Sequence, residues 1–183
     1  MRNKKAQIRK EFFQKLNSQA REEVLRKSRI IKDKLFSLPE FKKAGFVMFY
    51  ASKPEEVNTD EMIDEALEMG KRVALPLCAG PRRLVPKEIT NRQKDTRPGI
   101  YGIYEPLEHL RDAELEKIDL IIVPGVAFDN AKTRLGRGKG YYDAFLKALP
   151  RNKISIGLAF DFQVAKSLPK DSHDIPVSKV ITN

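Results

Sequence analysis

The sequence predicts an α/β fold: a single three-layer domain with a mostly parallel, mixed central sheet, helices on both faces and a basic helical arm at the N-terminus. Three observations predict it. Short apolar runs recur at Phe46–Tyr50, Val73–Cys78, Asp119–Pro124 and Ile154–Phe160, the pattern of strands buried on both faces. Segments with helical apolar spacing alternate with those runs. No internal repeat, low-complexity tract or Ser/Gly linker interrupts the 183 residues, so 1–183 reads as one domain.

The elements follow in order. Lys4 to Leu16 reads as a short basic helix. Ser18 is the expected N-cap of a second helix, which puts Val24, Ser28, Ile31 and Leu35 on one face and stops at Pro39. The strand at Phe46–Tyr50 lies between Gly45 and Pro54. Asn58 or Thr59 then caps a helix whose apolar side holds Met62, Ile63, Ala66, Leu67 and Met69, with Gly70 in the C′ position. Val73–Cys78 is a strand that Pro76 is expected to shorten. Residues 80–106 read as extended pieces or a hairpin, and Asp112–Lys117 as a short acidic helix. After the Asp119–Pro124 strand, a loop is expected from Gly125 to Lys139, and a helix from Tyr141 to Leu149. The strand at Ile154–Phe160, a helical turn at Gln163–Leu168 and a strand at Lys179–Thr182 complete the chain.

Composition narrows the function classes. Hydrophobic residues make up 41% and charged residues 33%, which excludes general disorder. No apolar run approaches the ~18 residues of a membrane span, and the N-terminus is too charged for a secretion signal. The single cysteine cannot form an internal disulfide or a Cys-rich zinc site. A reduced cytoplasmic protein without membrane contact is expected. The net charge of +10 is uneven: residues 1–45 carry +9 and the rest +1. Such a stripe is either a solvated helix face or an attractant for phosphate, nucleic acid or another polyanion.

Ligands of open α/β sheets bind beyond the carboxyl ends of the strands, here the loops after Tyr50, Val123 and Phe160. The densest chemical signal is Arg134-Leu135-Gly136-Arg137-Gly138-Lys139-Gly140-Tyr141-Tyr142-Asp143. Alternate glycines let backbone N–H groups approach an anion, the segment leads into a helix N-terminus, and Arg134, Arg137 and Lys139 add full charges. It is not a Walker A loop, because Gly140 follows Lys139 where Ser or Thr is required. The glycine spacing is also wrong for a dinucleotide fingerprint. Lys139-Gly140-Tyr141 partly matches an RNA-binding RNP1 strand. With the basic arm, this keeps a nucleic-acid-binding protein as the alternative from another class.

Other candidates carry two readings each. Asp143 is either a Mg²⁺ carboxylate beside phosphate or a carboxylate at a helix N-terminus. Glu55 and Glu56 either cap the next helix or accept N–H donors of a heterocycle. Lys5 and Arg9, four apart on one face, are either solvated or close over phosphates. Tyr141 and Tyr142 either stack on a planar ring or, for Tyr142 especially, pack in the core. Cys78 reads as core rather than nucleophile. His109 and His173 have no metal-ligand spacing, although Asp174 beside His173 offers a second carboxylate for a metal.

Together with Val123-Pro124-Gly125-Val126-Ala127-Phe128-Asp129, the decapeptide closely resembles the signature of the 5-formyltetrahydrofolate cyclo-ligase (methenyltetrahydrofolate synthetase) family. Lys5-Ala6-Gln7-Ile8-Arg9, Glu56-Val57-Asn58-Thr59, Gly102-Ile103-Tyr104-Glu105-Pro106 and His173-Asp174 resemble its other motifs, in the same order. The resemblance implies ATP- and Mg²⁺-dependent conversion of 5-formyltetrahydrofolate to 5,10-methenyltetrahydrofolate, with release of ADP and phosphate. It places the nucleotide on Lys5, Arg9, Arg134, Leu135, Gly136, Arg137, Gly138, Lys139, Gly140, Tyr141 and Tyr142. The folate, with or without a polyglutamate tail, falls to Ala51, Glu56 and the segment from Arg137 to Tyr141. Arg134, Arg137 and Lys139 take the catalytic role, and Asp143 and Asp174 the metal. Neither nucleic acid nor membrane is implied as a partner, and a monomer is expected. Another ATP-dependent ligase on the same scaffold remains open, because a fold does not fix a substrate.

Overall fold

In the computed structural model, which describes residues 2–99, 102–150 and 152–183, three helices lead the chain. They are α1 (Arg2–Asn17), α2 (Arg21–Ser37) and the short α3 (Pro39–Lys43). The apolar stripe of α2 buries Val24, Ser28, Ile31 and Leu35, the four positions the spacing selects. Ser18 does not cap α2. Its hydroxyl donates to the Lys15 carbonyl at 2.9 Å, closing α1 instead, and extended Ala20 stands at the N-cap. Pro39 ends α2 as expected and then opens α3, where a missing N–H costs nothing.

The central sheet contains β1 (Phe46–Met48), β2 (Arg72–Cys78), β3 (Leu84–Ile89), β6 (Leu120–Val123), β9 (Ile154–Ala159) and β11 (Lys179–Thr182). Their order is β11-β9-β6-β1-β2-β3, and every pairing is parallel except β2 with β3. Between β1 and β2 runs α4 (Asp60–Glu68). It buries Met62, Ile63 and Ala66, but Met69 lies just past its end and is exposed. Pro76 does not shorten β2: it faces Pro86. The Ala79 N–H bond to the Arg83 carbonyl sets the alternation of this antiparallel ladder. By that alternation, the proline pair falls where neither strand needs an N–H toward the other.

Side chains alternate between two cores. Val47, Val73, Leu75, Leu120, Ile122, Ile156 and Leu158 pack with α1, α2 and α4. Phe46, Met48, Ala74, Ile121, Val123 and Ala159 pack on the other face with α6 (Tyr141–Ala148) and with Phe128. Residues 80–106 supply β3, the short α5 (Arg92–Asp95) and the hairpin of β4 (Thr96–Pro98) and β5 (Tyr104–Pro106). The expected helix at Asp112–Lys117 is reduced to a 3₁₀ turn over Leu115–Lys117.

The expected loop from Gly125 to Lys139 is in fact a second small sheet. In it β7 (Ala127–Asp129) pairs antiparallel with β8 (Arg134–Leu135) and parallel with β10 (Val164–Ala165). The helical turn expected over Gln163–Leu168 shifts to Asp161–Gln163, which leaves Val164 and Ala165 free to pair. Side-chain hydrogen bonds hold this sheet in place. The buried Gln163 amide donates to the Gly125 and Val126 carbonyls at 2.9 and 3.0 Å, while its oxygen accepts the Phe160 N–H at 2.7 Å. Asp129 accepts the N–H groups of Thr133 and Leu168 at 2.8 and 2.9 Å. The Phe128 ring lies so close over Gly125 and Gly157 that a methyl group at either position would overlap it.

Candidate active site

The glycine-rich segment leaves β8 and enters α6 at the carboxyl-end side of the sheet, where ligands of such folds bind. Gly138 and Gly140 have φ of +96° and +74°, left-handed values that disfavour other residues, and Gly140 is the N-cap of α6. Lys139-Gly140-Tyr141 therefore lies in a turn and a helix, not in the strand an RNP1 motif needs. From α1, Arg9 Nε donates to the Gly136 carbonyl at 2.8 Å, and its guanidinium lies against Gly138. The loop after β1 supplies the facing acids. It is held by Tyr50 Oη donating to the Val57 carbonyl, Thr59 Oγ1 to the Tyr50 carbonyl and Asn58 N–H to Ser28 Oγ. The Thr59 side chain makes no cap bond to α4, whereas Asn58 Oδ1 accepts the Asp60 N–H at 3.2 Å.

Three of the expected cations hold a carboxylate. Arg137 directs Nε and Nη2 to Glu56 Oε1 at 2.9 and 2.7 Å, and Nη2 also to Glu55 Oε1 at 2.7 Å. Its guanidinium lies 5.1 Å from the centroid of the Phe13 ring. Burial would lower the Arg137 pKa, but Glu56 and Glu55 outweigh it and the net shift is upward. Glu55 is raised by burial and lowered further by Arg137, so it ends below its ordinary value. Arg134 is buried and donates from Nη2 to Asp143 Oδ1 at 2.8 Å. Its Nε, and the hydroxyl of Tyr142 beneath it, are buried without a partner. Burial pushes the Tyr142 phenol well above its ordinary pKa. Lys5 is buried between Asp171 at 2.8 Å and Asp174. Burial lowers the Lys5 pKa and the two acids raise it by more. Asp174 is raised by burial but ends below the usual carboxylate range, held there by Lys5 and the Asp171 N–H.

Asp171, His173 and Asp174 offer ligand atoms within 4.8 Å of one another, the one such metal-ligating cluster among the described residues. Their carboxylate oxygens are hard donors of the kind Mg²⁺ takes, but both carboxylates hold the Lys5 ammonium, which a cation bound there would have to displace. Asp143 is not part of that cluster and faces Arg134 instead. Leu135 is buried opposite Ala127, so it can offer a ligand only its main chain. Ala51 and Tyr141 are half-buried, and Lys139 is exposed and holds no acid among the described residues.

Sequence reasoning missed three residues. Phe13 beneath Arg137 and Asp171 beside Asp174 carried no motif. Arg82, in the turn between β2 and β3, packs against Gly140: a Cβ placed there would lie 3.4 Å from its Nε. Nothing local marks a pair separated by 58 positions.

Cys78 is half-buried at the end of β2. Burial, reinforced by a hydrogen bond to Glu105, pushes its thiol up to about 12. The thiol is therefore protonated at neutral pH, and only about one molecule in 10⁴ is thiolate at pH 8. Iodoacetamide should label the native protein far more slowly than the unfolded chain at pH 8. The native rate should still be climbing at pH 11; a plateau by pH 9 would contradict this.

The model of the 5-formyltetrahydrofolate cyclo-ligase family matches residues 1–183. The chain belongs to that family. It is 30% identical over 192 residues to a Mus musculus protein named 5-formyltetrahydrofolate cyclo-ligase, covering 95% of this chain and 91% of that protein. The Escherichia coli K12 protein of the same name is 32% identical over 160 residues, covering 81% and 84%. The NMR structure of Aquifex aeolicus 5,10-methenyltetrahydrofolate synthetase superposes with a TM-score of 0.86 at 37% identity, covering 97% of this chain and 89% of that one. A Mycoplasma pneumoniae structure of the same description shares the fold, with a TM-score of 0.78 at 23% identity and 97% of each chain covered. As a member of the cyclo-ligase family, the chain carries its signature on the second sheet and on the turn into α6. No helix among the described residues is long and apolar enough to cross a membrane.

Proposed function

We propose that the protein cyclises 5-formyltetrahydrofolate to 5,10-methenyltetrahydrofolate, using ATP and releasing ADP and phosphate. The formyl oxygen attacks the γ-phosphorus, forming an O–P bond as the bond to ADP breaks. N10 then attacks the activated formyl carbon, its proton is lost, and phosphate departs with the C–O bond. A formyl oxygen is a weak nucleophile, so alignment and neutralisation of charge must supply most of the rate.

This chain offers Lys5, Arg9 and the Arg134–Tyr142 segment to the triphosphate. Glu56, in the same loop as Ala51, suits the N–H donors of the pterin ring, and Arg137, which holds Glu56, would stand between the two substrates. Arg134, Arg137 and Lys139 would stabilise the transferring phosphoryl group. Asp174, with Asp171 and His173 beside it, would hold Mg²⁺, which when bound neutralises phosphate charge; Asp143, paired with Arg134, would instead orient that arginine. A basic rim suits the carboxylates of a folate tail, including polyglutamate forms. We expect the enzyme to act as a cytoplasmic monomer, without nucleic acid or membrane.

One observation carries this reading. Arg9 from α1 and Glu56 from the loop after β1 both converge on the glycine-rich segment, at 2.8 Å from Gly136 and 2.7 Å from Arg137 respectively. The test is to incubate the protein with 5-formyltetrahydrofolate, ATP and Mg²⁺ and to follow methenyl absorbance. ATP-dependent growth of that band is expected; its absence would overturn the proposal.

A further inference from the structure

Arg82 is the site cation that no motif accounts for. It lies at the turn joining β2 to β3, with a φ of +56° that favours glycine or asparagine over arginine. The side chain is exposed and holds no hydrogen bond or ion pair among the described residues. Lys5, Arg134 and Arg137 each hold a carboxylate. The free guanidinium is directed across the chain to the glycine-rich turn, against Gly140, the N-cap of α6. Beneath that turn lie two polar groups without partners, Nε of the buried Arg134 and the Tyr142 hydroxyl. Buried donors without partners and a free charge on the surface above them therefore coincide there.

Position decides which anion Arg82 serves. Arg9 meets the glycine-rich segment at Gly136 and Gly138, whereas Arg82 meets it at Gly140. Lys5 is tied to Asp171 and Asp174, which lead into β11 at one end of the strand order. Arg82 belongs to the β2–β3 turn at the opposite end. The proposed nucleotide cations Lys5 and Arg9 thus approach from α1, whereas Arg82 approaches from the turn after β2, the strand paired with β1, whose following loop carries the proposed folate residues Ala51 and Glu56. The geometry points to Arg82 as the residue that binds the glutamate carboxylates of the folate. This inference rests on the folate reading above and adds to it a residue specific to the tail.

The test compares 5-formyltetrahydrofolate with 5-formyltetrahydropteroate, which lacks the glutamate. Wild-type protein is assayed first, because failure to form any methenyl product would count against the proposed reaction and not against Arg82. Arg82→Gly removes the charge and relieves the left-handed backbone, so its Tm should hold or rise. In Arg82→Gly, the wild-type preference for the glutamate-bearing substrate, as a ratio of kcat/KM values, should fall about ten-fold, the scale of one charge-assisted hydrogen bond. The ratio of dissociation constants measured without ATP should fall with it, and Arg82→Lys should recover part of the loss. An unchanged ratio, or a loss that falls on the KM for ATP instead, would overturn the assignment.

Discussion

Arg137→Ala should lower kcat for cyclisation by about 10²–10³-fold, the cost of removing one donor aimed at developing charge. Stability should fall only modestly. The Arg137 side chain is 34% exposed and lies over the Phe13 ring, and leaving Glu55 and Glu56 without it should cost about 1–3 kcal/mol. Arg137 belongs to the glycine-rich segment and holds Glu56 from the loop after β1. Arg137→Lys separates charge from geometry, because an ammonium cannot reproduce the planar fork that reaches Glu55 and Glu56 together. It should recover only part of the rate. Steady-state kinetics beside a thermal melt would check both halves; unchanged kcat, or a large fall in Tm, would remove Arg137 from the chemistry.

Phe128→Ala should destabilise the protein by about 3–5 kcal/mol, the range for an aromatic ring deleted from a core. At this chain length that corresponds to a fall in Tm of about 10 °C. Phe128 is fully buried and fills the space that Gly125 and Gly157 leave open. The surroundings cannot collapse easily, since β9 on one side and the Gln163-braced strand exit on the other are held by their own hydrogen bonds. The ring also seats β7 on the central sheet, and β7 carries β8 with Arg134. Activity at temperatures where the variant stays folded should therefore drop as well. Chemical denaturation and a Tm within ~2 °C of wild type would sink this account of the platform.

Much of the scaffold was legible. The stripe of Val24, Ser28, Ile31 and Leu35 and the apolar runs at β6 and β9 repeat a local period long enough to read. The second sheet was not legible, because strands of two and three residues such as Arg134–Leu135 and Ala127–Asp129 carry no period. Their formation depends on Gln163 reaching the Gly125 carbonyl and on Phe128 reaching Gly157, contacts made only after folding. Ser18 misled for a related reason: its hydroxyl had two helix ends within reach, and the carbonyl of Lys15 took it.

By itself the sequence determined the alternation of strands and helices, the family and the glycine-cation signature, because each is carried by neighbours along the chain. The tertiary structure alone decided which acid each cation holds and brought Arg82 to the turn. Arg137 and Glu56 are 81 positions apart, and Lys5 and Asp174 are 169 apart. Charge pairing acts through space, and only the packed chain sets those distances.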